Sequence, residues 1–260
     1  MTEHYRLYTD LAWLWPLWGD AEAEYAHYSE QVTALLRQHS DHEVVNVLVI
    51  GCGGGKNVFN LKRHFNVTGL DLSPIMLEQA QTLNPDCTFV HGDMRGFDLG
   101  RSFDAVLMDD AIAHMNNRED LAAAFRAAQA HLKPGGVMVV TPDVTAENFQ
   151  QNKTTTHITS QEGLDVAFIE NIYDPDPTDE QFETTILYLI REQGRLRIEQ
   201  DHWVMGLYAL ETWRQLLAET GFDVHEMDYR LNDEDYIVFA CKPRSSNSNP
   251  VGAQRKMVLP

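Results

Sequence analysis

Cysteine is scarce in this 260-residue sequence. Cys52, Cys87 and Cys241 are odd in number, far apart and without a C-x-x-C pair. Disulfide scaffolds and structural zinc sites both need cysteines in closely spaced sets. We therefore expect neither a disulfide framework nor a metal site, and we predict a cytoplasmic protein.

Positive charge and long apolar runs are scarce too. Lysine and arginine number 20 against 39 aspartates and glutamates, which gives a net charge of −19. Binding to nucleic acid or anionic lipid needs a basic face, and this chain has little with which to build one. No apolar run reaches the roughly 18 residues of a membrane-spanning helix, and the N-terminus lacks a signal-peptide pattern. We expect a small-molecule partner, with no nucleic acid and no membrane.

The sequence does contain a regular alternation of strands and helices. Short apolar runs predict strands at 44–50, 67–72, 88–93, 103–109 and 137–141. Helical segments lie between them, and Pro134-Gly135-Gly136 is interpreted as the end of a helix over 118–132. This alternation predicts an α/β fold around a mainly parallel sheet.

The pattern changes after residue 142. A polar stretch at 143–163 is predicted to be loop. Period-two alternation then predicts a small antiparallel insertion with strands at 165–173, 182–192 and 195–206. A helix over 210–220 is expected to end at Gly221, and a final pair of strands follows.

These segments predict one domain over residues 1–243. Residues 1–40 carry apolar stripes at helical spacing, so we expect N-terminal helices that are interrupted at Pro16. The insertion covers residues 143–206. The polar residues 244–260 are expected to form a disordered tail.

A glycine-rich turn follows the first predicted strand. In VLVIGCGGGKNVFNLKR, residues 47–63, four glycines stand between a buried strand and a helix. Glycine lets the backbone turn sharply and approach a ligand closely. A dinucleotide fingerprint needs a sixth-position glycine, which is here Lys56 or Val58, and the P-loop pattern is also missing. A turn that binds nothing is the alternative.

Two acids follow the next two strands. Asp71 ends the second strand, where its carboxylate can accept both hydroxyl groups of a ribose; the alternative is an acid that caps the next helix. Asp93 ends the third strand, where it can accept from an adenine amino group while Met94 packs on the purine. Ligands of open α/β sheets bind at these carboxyl ends.

These segments together resemble the class I S-adenosylmethionine-dependent methyltransferases. The matching stretches cover about residues 40–142 and read VIGCGGG, GLDLSPIMLEQA, CTFVHGDMRGFDLGRSFDAVLMDDAIAHM and HLKPGG. The later DHWVMGLYALETWRQLLAETGF resembles a small-molecule subgroup that includes sugar N-methyltransferases and glycine or sarcosine N-methyltransferases. The resemblance implies a Rossmann-like seven-stranded sheet with its last strand antiparallel, and S-adenosyl-L-methionine as the methyl donor.

The resemblance also implies which residues contact the cofactor. Gly51 and Gly53 would face its methionine part, Asp71 its ribose, and Asp93 with Met94 its adenine. Four further residues are predicted to contact the cofactor. Cys52 lies in the glycine turn, and the others are predicted pocket or core residues: Leu72, Met76 and Met108.

The acceptor side is less specified. His114 is the predicted catalytic base, because a similar histidine after the fourth strand faces the substrate in sugar N-methyltransferases; a solvated loop histidine is the alternative. The resemblance implies that residues 1–40 form an N-terminal helical lid and that the insertion, residues 143–206, lies on the substrate side. Tyr5 in the lid is predicted to close over the cofactor. Asp109 and Asp110 either bind a cationic acceptor or cap a helix.

Other aromatic residues have two interpretations, pocket wall or structural core. They are Tyr8, Trp13, Trp15 and Trp18 near the N-terminus, and His202 and Trp203 in the insertion. The whole sequence predicts methyl transfer to nitrogen or oxygen of a small molecule by direct displacement. A nicotinamide-dependent oxidoreductase and a methyltransferase-like binding protein without turnover stay open.

Overall fold

The computed structural model describes residues 5–231 and 234–244. Helices and strands mostly alternate as far as residue 140, and four strands then follow one another between residues 154 and 206. Residues 245–260 of the predicted tail lie outside the described part. The helices are α1 (Ala23–His39), α2 (Lys56–Leu61), α3 (Pro74–Leu83), α4 (Arg118–Ala130) and α5 (Leu210–Glu219). Short 3₁₀-helices occur at Arg6–Tyr8, Ala12–Leu17 and Asp110–His114.

Seven strands form the main sheet in the order β10-β11-β5-β4-β1-β2-β3. Their bounds are β1 (Asn46–Ile50), β2 (Asn66–Asp71), β3 (Thr88–His91), β4 (Phe103–Met108), β5 (Leu132–Val140), β10 (Phe222–Leu231) and β11 (Glu234–Pro243). The pairs among β1 to β5 are parallel, while β11 runs antiparallel to both β5 and β10. The predicted seven-stranded sheet with an antiparallel last strand is confirmed.

The centre of this sheet is apolar on both faces. Alternate residues of β1 and β4 belong to two separate apolar clusters, one packed against α4 and α5 and the other against α1 and α2. Helices on both faces require strands that are apolar throughout, which explains the short continuous runs seen in the sequence. The carboxyl ends of β1, β2 and β4 therefore open at one edge of a rigid scaffold.

A second sheet is antiparallel and has the order β6-β7-β8-β9. Its strands are β6 (Thr154–Gln161), β7 (Leu164–Tyr173), β8 (Gln181–Glu192) and β9 (Arg195–Gly206). The predicted loop over 143–163 is wrong where β6 lies. This edge strand pairs along only one side and is mostly exposed, so its threonine-rich sequence shows no apolar alternation.

Two further boundaries differ from the predictions. Between residues 5 and 20 the chain forms two 3₁₀-helices instead of an α-helix, and Pro16 lies inside the second one without ending it. Pro134-Gly135-Gly136 belongs to β5, since α4 already ends at Ala130. Gly135 has a φ of +80°, a conformation that glycine adopts without strain. In the part of the chain that is described, no helix has the length and apolarity to cross a membrane.

Candidate active site

A cavity of about 1310 Å³ opens at the carboxyl ends of β1, β2 and β4. Sites for one small molecule measure roughly 300–1,000 Å³, so this cavity has room for more than one. Nine of the eleven predicted site residues line it: Tyr5, Gly51, Cys52, Gly53, Asp71, Leu72, Asp93, Met94 and His114. Met76 and Met108 do not, because both are fully buried in the apolar core behind the cavity wall.

The glycine turn has the backbone that its sequence requires. Gly51 and Gly53 have φ angles of +72° and +50°. A Cβ atom on Gly51 would lie 2.4 Å from the Cβ atom of Ala111, and one on Gly54 would lie 2.5 Å from the Trp15 ring. The turn is therefore held between the chain after β4 and the N-terminal segment, and side chains there would force them apart.

Asp71 holds the turn in place from the end of β2. Its Oδ2 atom accepts the Gly53 backbone N–H at 2.7 Å, and its Oδ1 atom accepts the Ser73 N–H at 2.9 Å. Ser73 itself caps α3 through its hydroxyl, so Asp71 is not the cap. Burial raises the pKa of Asp71. A carboxylate has about four acceptor positions, so two remain for a ligand in the cavity.

Asp93 is part of a charged network beyond the end of β3. Both of its carboxylate oxygens accept from Arg95, and Arg95 also reaches Asp120 at the start of α4. Hydrogen bonds from the Arg95 guanidinium hold the pKa of Asp93 below its ordinary value. The neighbouring Met94 extends to the glycine turn, where its Cε atom would lie 3.3 Å from a Cβ atom on Gly51.

The N-terminal segment is tied down over the glycine turn. Lys56, the first residue of α2, is buried and donates from Nζ to the Trp15 carbonyl at 2.9 Å and to the Trp18 carbonyl. Its ammonium also lies 5.1 Å from the centre of the Trp15 ring. On the other side of the turn, Ser73 Oγ donates to the Tyr8 carbonyl at 2.6 Å. The segment thus lies where the sequence predicts a lid, although its first part is not α-helical.

His114 sits within a group of aromatic rings, defined as Tyr5, Tyr8 and Trp203. Their ring centres lie 5.2, 5.5 and 5.6 Å from that of His114. Tyr8 Oη and His114 Nε2 are 3.2 Å apart, within hydrogen-bonding distance, and His114 Nδ1 is buried without a partner. Burial lowers the pKa of His114 to about 4, so the ring is neutral at physiological pH.

Two carboxylates follow β4 and differ in their partners. Asp109 accepts from the hydroxyls of Tyr28 at 2.9 Å and Thr141 at 2.7 Å, and from the Asn57 amide. Burial raises the pKa of Asp109. Asp110 accepts a backbone N–H from Asp143, and burial beside the Asp109 charge raises its pKa to about 7.

The two candidates in the insertion have different environments. Trp203 is buried and stacks on Tyr8 with ring centres 5.3 Å apart, so it supports the aromatic group. His202 points the other way, is exposed, and pairs with Glu183 at 3.3 Å. Since neighbouring residues of a strand face opposite sides, only one of the two can reach the site. The interpretation of His202 as a pocket residue is therefore wrong.

Sequence reasoning missed Glu170, whose carboxylate influences Asp110 from β7. A signal was present: Val166, Phe168 and Glu170 share one face of this strand, and the first two are buried in the core. Burying an acid on the apolar face of a strand costs free energy unless the acid is paired or hydrogen-bonded. An acid in such a position is therefore a candidate site residue. Tyr28, Asn57 and Thr141 carried no comparable signal, because they come together only through folding.

The cavity fits S-adenosylmethionine, because the Asp71 carboxylate lines it next to glycine backbone that no Cβ obstructs. A family described as "Methyltransferase domain" matches residues 47–136. The dTDP-3-amino-3,6-dideoxy-alpha-D-glucopyranose N,N-dimethyltransferase of Streptomyces fradiae is 31% identical, over 78% of this chain and 80% of its own. The chain belongs to the class I S-adenosylmethionine-dependent methyltransferases. Its methyl donor is S-adenosylmethionine, and its acceptor is a small molecule.

Solved structures agree with this membership. DesVI of Streptomyces venezuelae superposes with a TM-score of 0.79 at 25% identity, over 94% of this chain and all of that one. An amino pentose methyltransferase from Micromonospora echinaspora, solved with S-adenosylmethionine bound, gives 0.74 at 25% identity, over 84% and 92% of the two chains. The comparisons give no support to an oxidoreductase or to a binding protein without turnover.

Proposed function

We propose that this methyltransferase transfers the methyl group of S-adenosylmethionine to the amino nitrogen of an amino sugar. The observation that carries the proposal is the acidic and aromatic wall beside the glycine turn. Asp109, Asp110 and Asp143 line the cavity there with the rings of Tyr5 and Tyr8. Carboxylates and aromatic faces attract an ammonium group and offer little to a neutral hydroxyl.

The relatives support an amine acceptor of this class. The Streptomyces fradiae enzyme is named for a dTDP-linked 3-amino sugar, as is an enzyme of Streptomyces venezuelae that is 34% identical over 57% of this chain. The only cationic side chains among the described residues that line the cavity are Lys56 and Arg95, and both are held by other groups. The acceptor's positive end therefore meets acids without a competing cation.

In the cofactor half of the cavity, we propose that the glycine turn and the acids at the strand ends bind S-adenosylmethionine. Gly51 and Gly53 would hold the methionine part, Asp71 the ribose hydroxyls, and Asp93 with Met94 the adenine. When bound, the cofactor supplies a methyl group on a positively charged sulfur. The chain's own residues orient the acceptor, and the N-terminal segment excludes water from the reaction.

We also propose the domain organisation expected from the sequence. Residues 1–243 would act as one domain, with 1–40 as the cover over the cofactor and 143–206 as the substrate-side insertion. Support comes from one apolar cluster that joins Leu7, Leu11 and Leu14 to the inner face of the second sheet. A cytoplasmic location is supported by three cysteines that are all unpaired, two of them buried.

A methyl-transfer assay with the full chain tests the acceptor. The panel contains a dTDP-linked 3-amino sugar, its 3-hydroxyl analogue, the free amino sugar, glycine and sarcosine. We expect mass spectrometry to find one or two added methyl groups on an amino sugar and none on the hydroxyl analogue. Methylation of the hydroxyl compound alone, or of glycine alone, would refute the proposed acceptor.

A further inference from the structure

Asp110 is a carboxylate in the acceptor half of the cavity, and the residues that the structure describes provide no counter-charge for it. It begins the 3₁₀-helix Asp110–His114 and lines the cavity. The next residue, Ala111, lies directly against Gly51, so Asp110 stands beside the turn that holds the cofactor. Among the described residues, no lysine or arginine pairs with Asp110.

The groups that face Asp110 come from every element packed around it. They are Asp109 and His114 from its own turn, Tyr8 from the N-terminal segment, Tyr28 from α1 through Asp109, Asp143 after β5, and Glu170 from β7. The charges of Asp109 and Glu170 repel the Asp110 charge, and among the described residues only the Asp143 backbone N–H favours it. A positively charged ligand would relieve this repulsion.

Asp109 cannot play the same part, although it is adjacent. Its carboxylate is already occupied by three neutral donors, the hydroxyls of Tyr28 and Thr141 and the amide of Asn57. These bonds fix Asp109 as a wall of the cavity and a second negative charge behind Asp110. The carboxylate with free acceptor positions is that of Asp110.

His114 is poorly matched to accept a proton from an ammonium group. The apolar aromatic group around it disfavours a charged imidazolium, which is why its pKa is lowered to about 4. The pKa of Asp110 is raised to about 7, closer to that of an amine and to the pH at which general bases work best. His114 Nδ1 is buried without a partner in the same cavity, which suits a neutral hydrogen-bonding role.

We propose that Asp110 is the general base of this enzyme: its carboxylate binds the acceptor ammonium and removes a proton from it. This inference rests on the proposed amine acceptor. The proton moves from the ammonium nitrogen to a carboxylate oxygen, which leaves a neutral amine and a neutral acid. The freed lone pair forms the N–C bond as the C–S bond breaks, which leaves a neutral thioether and a methylated ammonium. Asp110 returns its proton to solvent before the next cycle.

The test compares Asp110→Asn with wild type on the amino-sugar acceptor, as kcat/KM from about pH 6 to pH 9. Asparagine keeps the shape and cannot take the proton, so we expect kcat/KM at pH 7 to fall about 10²–10⁴-fold. Much of this loss should be recovered near pH 9, where the free acceptor is already neutral. Affinity for S-adenosylhomocysteine should not change. Asp86→Asn, an exposed acid far from the cavity, is the matched control.

Asp110→Ser is the second variant, in case asparagine perturbs folding, and circular dichroism checks both. An Asp110 variant that binds S-adenosylhomocysteine normally and keeps the wild-type pH profile would overturn this inference alone. Wild-type enzyme that methylates no amine would overturn the proposed acceptor together with it. A large loss at pH 7 without recovery at high pH would also contradict a role as base.

Discussion

The two halves of the cavity are built in different ways. The half proposed for the cofactor draws on Gly51, Gly53, Asp71 and Met94, which lie at the ends of three consecutive strands of one sheet. The acceptor half joins Tyr5 to the insertion, with a hydrogen bond from its hydroxyl to the Val204 carbonyl across 199 residues. The first half is thus set by local backbone geometry, and the second by long-range packing.

The halves also differ in how their charges are satisfied. In the cofactor half, Asp71 accepts two backbone N–H groups and Asp93 is paired with Arg95. In the acceptor half, Asp109 has only neutral donors and Asp110 faces other acids. The half whose charges are balanced by hydrogen bonds and ion pairs forms a stable binding site. A half that carries unbalanced negative charge is suited to select a cation, at some cost in stability.

The largest effect is expected where the two halves touch. Gly51→Ala adds a methyl group at positive φ and 2.4 Å from Ala111. The positive-φ conformation costs alanine roughly 1–2 kcal/mol, and the steric overlap costs roughly 1–3 kcal/mol more. The melting temperature should therefore fall by several degrees, and cofactor binding should be lost. Gly163→Ala has a similar φ of +78° with nothing within 4 Å, so it isolates the conformational part. Equal melting temperatures for the two variants would contradict the close contact.

Asp71→Asn tests whether the cofactor half depends on a charge or only on shape. The amide cannot accept both the Gly53 and Ser73 N–H groups, so affinity for S-adenosylhomocysteine should fall about tenfold or more, roughly 1–3 kcal/mol. Asp98→Asn is the control, because Asp98 accepts the Gly100 N–H at 2.8 Å on an exposed loop. Calorimetric affinities that match between Asp71→Asn and wild type would remove Asp71 from the cofactor site.

Stability as a function of pH tests the unbalanced charge of Asp110 in the acceptor half. The pKa of Asp110 is about 7 when folded against 3.8 ordinarily, so the folded protein binds more protons between these values. Its free energy of unfolding therefore falls as pH rises through this window. Asp110→Asn removes this loss and should gain stability over wild type between about pH 4 and 8, on the order of 2 kcal/mol. Melting curves that change in parallel for both proteins would argue against a buried Asp110 charge.

The smallest effect is expected at the neutral histidine. With a pKa lowered to about 4, His114 does not change its charge near pH 7. His114→Asn should therefore not shift the pH at which kcat/KM rises in its pH profile. The loss of a hydrogen-bonding ring should cost about tenfold or less in kcat/KM, roughly 1 kcal/mol. Tyr8→Phe, which removes its partner at 3.2 Å, should behave similarly. If kcat/KM of the His114→Asn variant no longer rose with pH, the base would be His114 instead of Asp110.

Much of the cofactor half was predictable because its signals are local. The glycine turn after β1 and the serine cap with Pro74 at the start of α3 both appear as sequence patterns and as structure. The strand β6 was not predictable, because an exposed edge strand needs no apolar alternation. The strand face shared by Val166, Phe168 and Glu170 gave a local signal for Glu170, but its effect on Asp110 depends on tertiary packing, and no local pattern records that Asp110 has no cationic partner among the described residues.

The sequence by itself determined the fold class and, through its resemblance to a known family, the cofactor. The fold class could be predicted because strand periodicity, glycine conformation and helix caps act within a few residues. Only the tertiary structure decided that His114 is neutral within aromatic rings and that Asp110 lacks a counter-charge. Burial and electrostatic fields depend on everything that packs around a group, and here the N-terminal segment, the main sheet and the insertion meet.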